Sequence, residues 1–151
     1  MEYSNSIIVD IDGTLANIDH RRHYVKGCRK DWSEFKKKYI EDQANKWCVC
    51  LIEAMYKQGL NLLFVTGREE AYRKGTLEQI ENWVCVHYSK VFLFMRSDGD
   101  FRSDVEVKKE MYNTHIKEKF KVLFCVDDSE VIVNLWRSLG LVCLDCAGYQ
   151  R

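Results

Sequence analysis

Two carboxylates one residue apart, Asp10 and Asp12, close the apolar run Ser6-Ile7-Ile8-Val9 and are followed at once by Gly13-Thr14-Leu15. Acids so close together repel each other unless something positive joins them. An all-oxygen donor set favours a hard divalent cation such as Mg²⁺, and Gly13 lets the backbone turn tightly beside it. A solvated Asp-Gly turn is the simpler alternative, yet turn chemistry asks for only one acid. A second apolar run, Lys121 to Val126, ends in Asp127-Asp128. Asp127 is the natural additional metal ligand, with Asp128 ligating through water or orienting a neighbour. A third run, Leu60 to Val65, leads into Thr66-Gly67-Arg68. There the Thr66 hydroxyl and the amides of a following helix N-terminus make an oxyanion-binding corner, to which Arg68 adds charge. Lys108 lies on the first turns of another helix, where it can reach back and neutralise negative charge developing on a phosphoryl group. Acids with a metal, a hydroxyl and a lysine form a set suited to phosphoryl transfer.

Such a set needs a scaffold that gathers strand ends far apart in the chain. Ile7-Ile8-Val9 is apolar at every position, which predicts a strand buried on both faces, as in parallel sheets. Further strands are predicted at 60–65, 91–95, 121–126 and 141–144. Helical spacing over 31–57 (Trp32, Phe35, Tyr39, then Trp47, Leu51, Ala54, Met55) predicts two helices or one bent one, with a break near 43–45. Asp31 and Glu34 make an arrangement like a capping box at the start. A helix over 69–87 should bury Tyr72, Leu77, Ile80, Trp83 and Val84. Another starts near Val105, and a last one, opened by Ser129, carries Val131, Val133, Leu135 and Trp136 before Gly140 stops it. Strand and helix alternate throughout, the pattern of an α/β fold with a doubly wound, mainly parallel Rossmann-like sheet. The carboxyl ends of its strands face the ligand crevice.

Residues 17–45 are more than a crossover requires, so part of them is expected to form a small helical and loop cap over the site. The basic stretch Arg21-Arg22 follows the first acids closely, and either guanidinium can reach a phosphate. Lys36-Lys37-Lys38 is expected to be a solvated helix face. The mixed-charge loop Arg96 to Asp104, with Gly99 to turn it, is a substrate-recognition candidate.

With 151 residues the chain is expected to be one domain, 1–151. Lys and Arg balance Asp and Glu at 23 each, so any nucleic-acid affinity must be local. Seven cysteines, an odd number, and no leader-like segment favour a reducing, cytoplasmic setting. Cys143 and Cys146 form a CxxC, but Cys143 falls in an apolar run where a thiol packs as a small hydrophobe. No run approaches the roughly 20 apolar residues of a membrane span.

Asp10-Ile11-Asp12-Gly13-Thr14 at the end of the first strand resembles the nucleophile motif of the haloacid dehalogenase-like phosphatases. The resemblance implies that Asp10 attacks phosphorus and that Asp12 is the general acid and base, with a pKa raised for the task. Three later stretches narrow it: Met95-Arg96 through Gly99-Asp100-Phe101-Arg102-Ser103-Asp104, the Val107-Lys108 helix start, and Val126-Asp127-Asp128 with the helix Val133 to Gly140. Together they resemble the 3′-phosphatase domain of bifunctional polynucleotide kinase/phosphatases over essentially the whole chain. This implies a 3′-phosphate on a nucleic acid or nucleotide as substrate. It also brings Arg21, Arg68, Arg102 and Asp104 into the site beside the catalytic set. No GxxxxGK[ST] loop occurs, so the chain is expected to remove phosphate and not to add it. A nucleotidase or small-molecule phosphatase is the alternative within the class, and a silent phosphate- or partner-binding module the alternative outside it.

Overall fold

A computed structural model describes residues 3–147. Five parallel strands form the central sheet, in the order β5-β4-β1-β6-β7. They are β1 (Ser4–Val9), β4 (Asn61–Glu69), β5 (Val91–Arg96), β6 (Phe120–Asp127) and β7 (Cys143–Asp145). The strand β1 lies at the centre, and its neighbours β4 and β6 carry the other two chemistry-bearing ends. Val9 registers with Phe64 on one side and Val126 on the other, so Asp10, the Thr66 corner and Asp127 emerge at one edge.

The strand period of two divides the apolar side chains between two cores. Ile7, Val9, Leu62 and Phe64 pack with Cys48, Ile52 and Ile80 from the helices α2 (Lys46–Lys57) and α3 (Arg73–Trp83). Ile8, Leu63 and Val65 pack with Val107, Ile132 and Trp136 from α4 (Asp104–Met111) and α5 (Glu130–Ser138). Both faces of the sheet are thus covered, which is why its central strands read as continuous apolar runs.

Between β1 and α2 lies the predicted long segment. It comprises β2 (Ala16–Asn17), a 3₁₀ turn over Asp19–Val25, the short α1 (Trp32–Lys37), a second 3₁₀ turn over Lys38–Glu41 and β3 (Gln43–Ala44). The break predicted at 43–45 is β3, which pairs antiparallel with β2. Asp31 caps α1, its Oδ1 accepting from the Glu34 amide at 3.0 Å.

Three expectations need correction. In α2 the buried residues are Cys48 and Ile52, while Trp47 stays half exposed and Ala54 is exposed. The true stripe is rotated by one residue because a small thiol, not the indole, fills the space over β1. In α5, Val133, Leu135 and Trp136 are buried together with Ile132, while Val131, alone of the apolar residues of that helix, points to solvent. The strand β4 runs on through Thr66 to Glu69, and a 3₁₀ turn over Glu70–Tyr72 separates it from α3. No helix therefore begins at Gly67, and the corner there is built from strand backbone.

We predict that Ile52→Ala lowers stability by about 2–5 kcal/mol, because it opens a cavity in a packed core. Trp47→Ala should cost under about 1 kcal/mol. Urea denaturation of the two variants checks which face of α2 is buried.

Candidate active site

Asp10 leaves β1 with its backbone amide held by the Val126 carbonyl at 3.1 Å. Its side chain is buried, with Thr14 Oγ1 donating to Oδ2 at 3.1 Å and Lys108 Nζ to Oδ1 at 2.7 Å. The same ammonium donates to Asp127 Oδ2 at 3.0 Å, while Asp127 Oδ1 accepts from the Ser129 amide at 3.0 Å. Lys108 is held in reach by α4, which is started by a capping box between Ser103 and Glu106. Gly13 has φ +88°, and a Cβ there would lie 2.2 Å from Asp128 Oδ2, so both its backbone and its lack of a side chain are needed.

Asp10, Asp127 and Asp128 each offer an oxygen, and the three oxygens lie within 4.8 Å of one another. Burial, then Asp127, pushes Asp10 well above the usual carboxylate range, against the opposing pull of Lys108. Burial and Asp127 likewise raise Asp128. Burial opposes the charge on Lys108, yet Asp10 and Asp127 outweigh it and keep the ammonium charged far above an ordinary lysine. Three carboxylates against one ammonium leave negative charge to be matched, and the all-oxygen donor set fits a hard divalent cation such as Mg²⁺.

Asp12 meets a different partner set. Its Oδ1 accepts from Arg21 Nη2 at 2.7 Å and from Arg68 Nε and Nη2 at 3.0 and 2.8 Å. Burial would raise its pKa, but Arg68 and then Arg21 overcome this and hold it below the usual range. The expected raised pKa is therefore corrected: without a bound phosphate, two guanidiniums keep Asp12 ionised. Asp12 also stands outside the metal cluster in which it was expected, because its carboxylate is turned to the arginines.

Both arginines are clamped from behind by Asp42, which is only 3% exposed. It accepts from Arg21 Nε and Nη2 at 2.8 and 2.6 Å and from Arg68 Nη2 at 3.1 Å. His20 Nε2 lies 2.7 Å from the same carboxylate. Phe35 lies under the Arg21 guanidinium at 4.3 Å and Tyr39 under that of Arg68 at 4.9 Å. Arg68 is further fixed by Thr76 and Gln79 at 3.2 and 2.7 Å. Between the two candidate arginines, Arg21 is buried against Asp12, whereas the more exposed Arg22 pairs with Asp19 and comes within 3.8 Å of Asp128.

Thr66 is buried, and its Oγ1 accepts from the Arg68 amide at 3.1 Å. Gly67 is required by Asp104, whose Oδ1 would lie 2.7 Å from an added Cβ. Asp104 itself pairs with Arg96. Arg102 is half exposed and bonded to Asp100 and Glu110. Thr66, Gly67, Arg96, Asp100, Arg102 and Asp104 line one cavity of about 670 Å³ over the strand ends. Thr66, Lys108, Asp10 and Asp127 share its floor with Asp12, Arg21 and Arg68, while Asp104 and Arg102 belong to its wall.

A family model for the polynucleotide kinase PNKP phosphatase domain matches residues 4–149. The chain belongs to that family. It is a haloacid dehalogenase-like phosphatase. It is similar to a putative bifunctional polynucleotide kinase/RNA ligase of Autographa californica nuclear polyhedrosis virus, with 24% identity over 93% of this chain and 19% of that protein. Among solved structures it is similar to a chain of the Pnkp1/Rnl/Hen1 RNA repair complex, with TM-score 0.77, 29% identity, and 95% of this chain against 42% of the other. The class C acid phosphatase of Bacillus anthracis shares the fold at TM-score 0.61 and 15% identity, over 85% of this chain and 53% of that one. This phosphatase thus spans less than half the length of the first two relatives.

Two residues of this phosphatase escape a reading of the sequence. Asp42 sits in an unremarkable Glu-Asp pair, and nothing local marks it as the hub of two arginines 21 and 26 positions away. Arg96 lies in the charged loop, but its burial, and its bonds to the carbonyls of Gly67, Asp100 and Arg102, follow only from the tertiary path. The CxxC forms no metal site: among the described residues only the three acids cluster as ligands. Burial pushes the Cys143 and Cys146 thiols up to about 11 and about 12, so neither is a thiolate at neutral pH. The lysine run is a charged surface, with Lys36, Lys37 and Lys38 each paired to a glutamate.

Asp42→Ala leaves two buried guanidiniums short of an acceptor, so it should cost about 3–5 kcal/mol, measurable by thermal or urea unfolding. Arg102, bonding through its side chain and amide, lowers Asp100 to about 2. A depressed carboxylate stabilises the fold above its unfolded value of about 4, and that contribution is lost as pH falls toward the folded value. Carboxyl NMR titration should place Asp100 near 2 in this protein and raise it part of the way to the ordinary range in Arg102→Ala, which keeps the backbone amide bond.

Proposed function

We propose that this domain is a Mg²⁺-dependent phosphomonoester hydrolase working through an aspartyl-phosphate, and that its ester is the 3′-phosphate of a nucleic-acid end. The observation that carries the chemistry is the Asp10 carboxylate held between Lys108 and Asp127 beside the hydroxyl of Thr14. Asp10, Asp127 and Asp128 would hold the cation, which would screen the repulsion between carboxylate and phosphate.

In the first step an oxygen of Asp10 bonds to phosphorus in line as the bond to the leaving alkoxide breaks. Lys108 and the Thr66-Gly67 corner take up charge on the phosphoryl oxygens. Arg21 and Arg68 present forked donors suited to phosphate. As phosphate draws on their donors, Asp12 loses part of the charge that keeps it ionised, burial raises it toward the pKa of a working acid, and it takes up a proton from water. Asp12 gives its proton to the alkoxide. It next takes a proton from the water whose oxygen attacks phosphorus, and the Asp10–phosphorus bond breaks to release phosphate and restore the carboxylate.

The nucleic-acid substrate is supported by the family match and by the names of the relatives, one a polynucleotide kinase/RNA ligase and one a part of an RNA repair complex. Residues 17–45 act as a small lid, since Arg21, Phe35 and Tyr39 come from them and line the cavity. Seven free thiols support a reducing, cytoplasmic setting, and among the described residues no helix is long and apolar enough to cross a membrane. A nucleotidase is the second reading, favoured by the balanced net charge, which offers no broad track for a polymer.

Phosphate release should be Mg²⁺-dependent and selective for 3′-phosphorylated oligonucleotides over 5′-phosphorylated ones and over 3′- and 5′-mononucleotides. Asp10→Asn should reduce it by a factor on the order of 10⁴ or more. Mononucleotides turned over equally well would replace the strand-end substrate with a nucleotide, and release retained by Asp10→Asn would remove the nucleophile.

A further inference from the structure

Hydrolysis leaves the outer part of the cavity unexplained. The stripe Trp32, Phe35 and Tyr39 on and after α1 has helical spacing, yet no residue of α1 is fully buried, and only Phe35 packs against a core. All three rings line the cavity. Phe35 and Tyr39 have work there, each lying under an arginine, and Tyr39 also packs edge-on against Tyr72 at 5.2 Å. Trp32 touches Phe35 edge-on at 5.8 Å and remains 52% exposed. Phe101, on the opposite element of the lining between β5 and α4, is 91% exposed.

So exposed a phenyl ring usually rides on a mobile loop, and this one does not. The buried Arg96 guanidinium donates from Nη1 to the carbonyls of Asp100 and Arg102, the residues on either side of Phe101, at 3.0 and 2.7 Å. The Asp100 amide donates to the Ser97 carbonyl at 3.1 Å, and Asp100 Oδ1 accepts from the Arg102 amide at 3.0 Å. An apolar ring is thus presented to solvent on a backbone anchored at both flanks, which is how a binding platform is preorganised. The charges beside it are already matched: Arg102 by Asp100 and Glu110, and Lys36 by Glu69. The rim is therefore better suited to the face of a flat, neutral ring than to a further phosphate.

We propose that Phe101, with Trp32 on the cap side of the rim, stacks the nucleobase of the nucleotide whose phosphate lies at Asp10. This rests on the nucleic-acid reading above and adds to it a specificity-determining platform: the enzyme selects a base-bearing terminus over a bare sugar phosphate. A cavity of about 670 Å³ is large enough for a whole nucleotide.

The test compares two oligonucleotides with 3′-phosphates, identical except that one has an abasic terminal sugar. Stacking of one base predicts kcat/KM about tenfold or more in favour of the base-bearing end, carried mainly by KM. In Phe101→Ala that ratio should collapse toward one, Phe101→Trp should restore it, and Trp32→Ala should lower it. A ratio near one in the parent protein, or an unchanged ratio in Phe101→Ala, overturns the platform while leaving the phosphatase intact. Binding of the same pair to Asp10→Asn, read by fluorescence anisotropy, separates the two ideas. Preference there that Phe101→Ala erases, with no turnover by the parent protein, keeps the platform and rejects the phosphatase assignment. Equal binding rejects the platform.

Discussion

The constraint on which the architecture rests is electrostatic: three carboxylates, two of them buried, are gathered at the base of one cavity. Ionised acids in such a place cost several kcal/mol each unless paired. Lys108 answers part of this by bridging Asp10 and Asp127, and the remaining negative charge is what suits the cluster to a divalent cation. The surrounding structure can be understood as the means of holding that arrangement. Parallel pairing of β1 with β6 puts the acids side by side, and α4 delivers the lysine from the far side of the chain.

A second charge system is built beside the first and kept separate from it. Asp12 and Asp42 share the guanidiniums of Arg21 and Arg68, two acids against two bases, so the group is balanced without a metal. That balance explains why Asp10 and Asp12, two residues apart, are driven in opposite directions, one raised and one lowered. It also makes the arginines available at the cavity floor in a fixed position. In the proposed reaction, phosphate would compete for donors that already have an acceptor, and that competition would couple substrate binding to the protonation of Asp12.

The segment between β1 and α2 contributes to both systems although α1 adds only the partly buried Phe35 to a core. Its aromatic stripe, which in sequence looks like an ordinary buried helix face, is spent on holding guanidiniums and shaping the cavity wall. The loop from Arg96 to Asp104 does the corresponding work on the other side, where a buried arginine fixes the backbone and leaves Phe101 outward.

That Asp10, Asp12, Thr66, Lys108 and Asp127 line one cavity was legible in the sequence because each lies at or near the end of an apolar strand run or on the first turns of a helix. The parallel α/β fold was legible for the same reason, since strand ends of such a sheet share one edge. Residue-level faces were less so: the periodic stripes were traced through Trp47 and Val131, whereas the buried neighbours are Cys48 and Ile132, because periodicity locates a stripe only to within a residue. Asp42 lay beyond the reach of the sequence altogether, and Arg96 was visible there only as part of a charged stretch. Their importance comes from partners across the fold, and a local pattern carries no information about which distant charge a buried side chain will meet. The ionisation of Asp12 was likewise decided by tertiary structure, because its sign depends on two guanidiniums, one 9 and one 56 residues away. Strand ends and acids belong to the chain's own pattern, whereas the pairing of those acids is a property of the packed molecule.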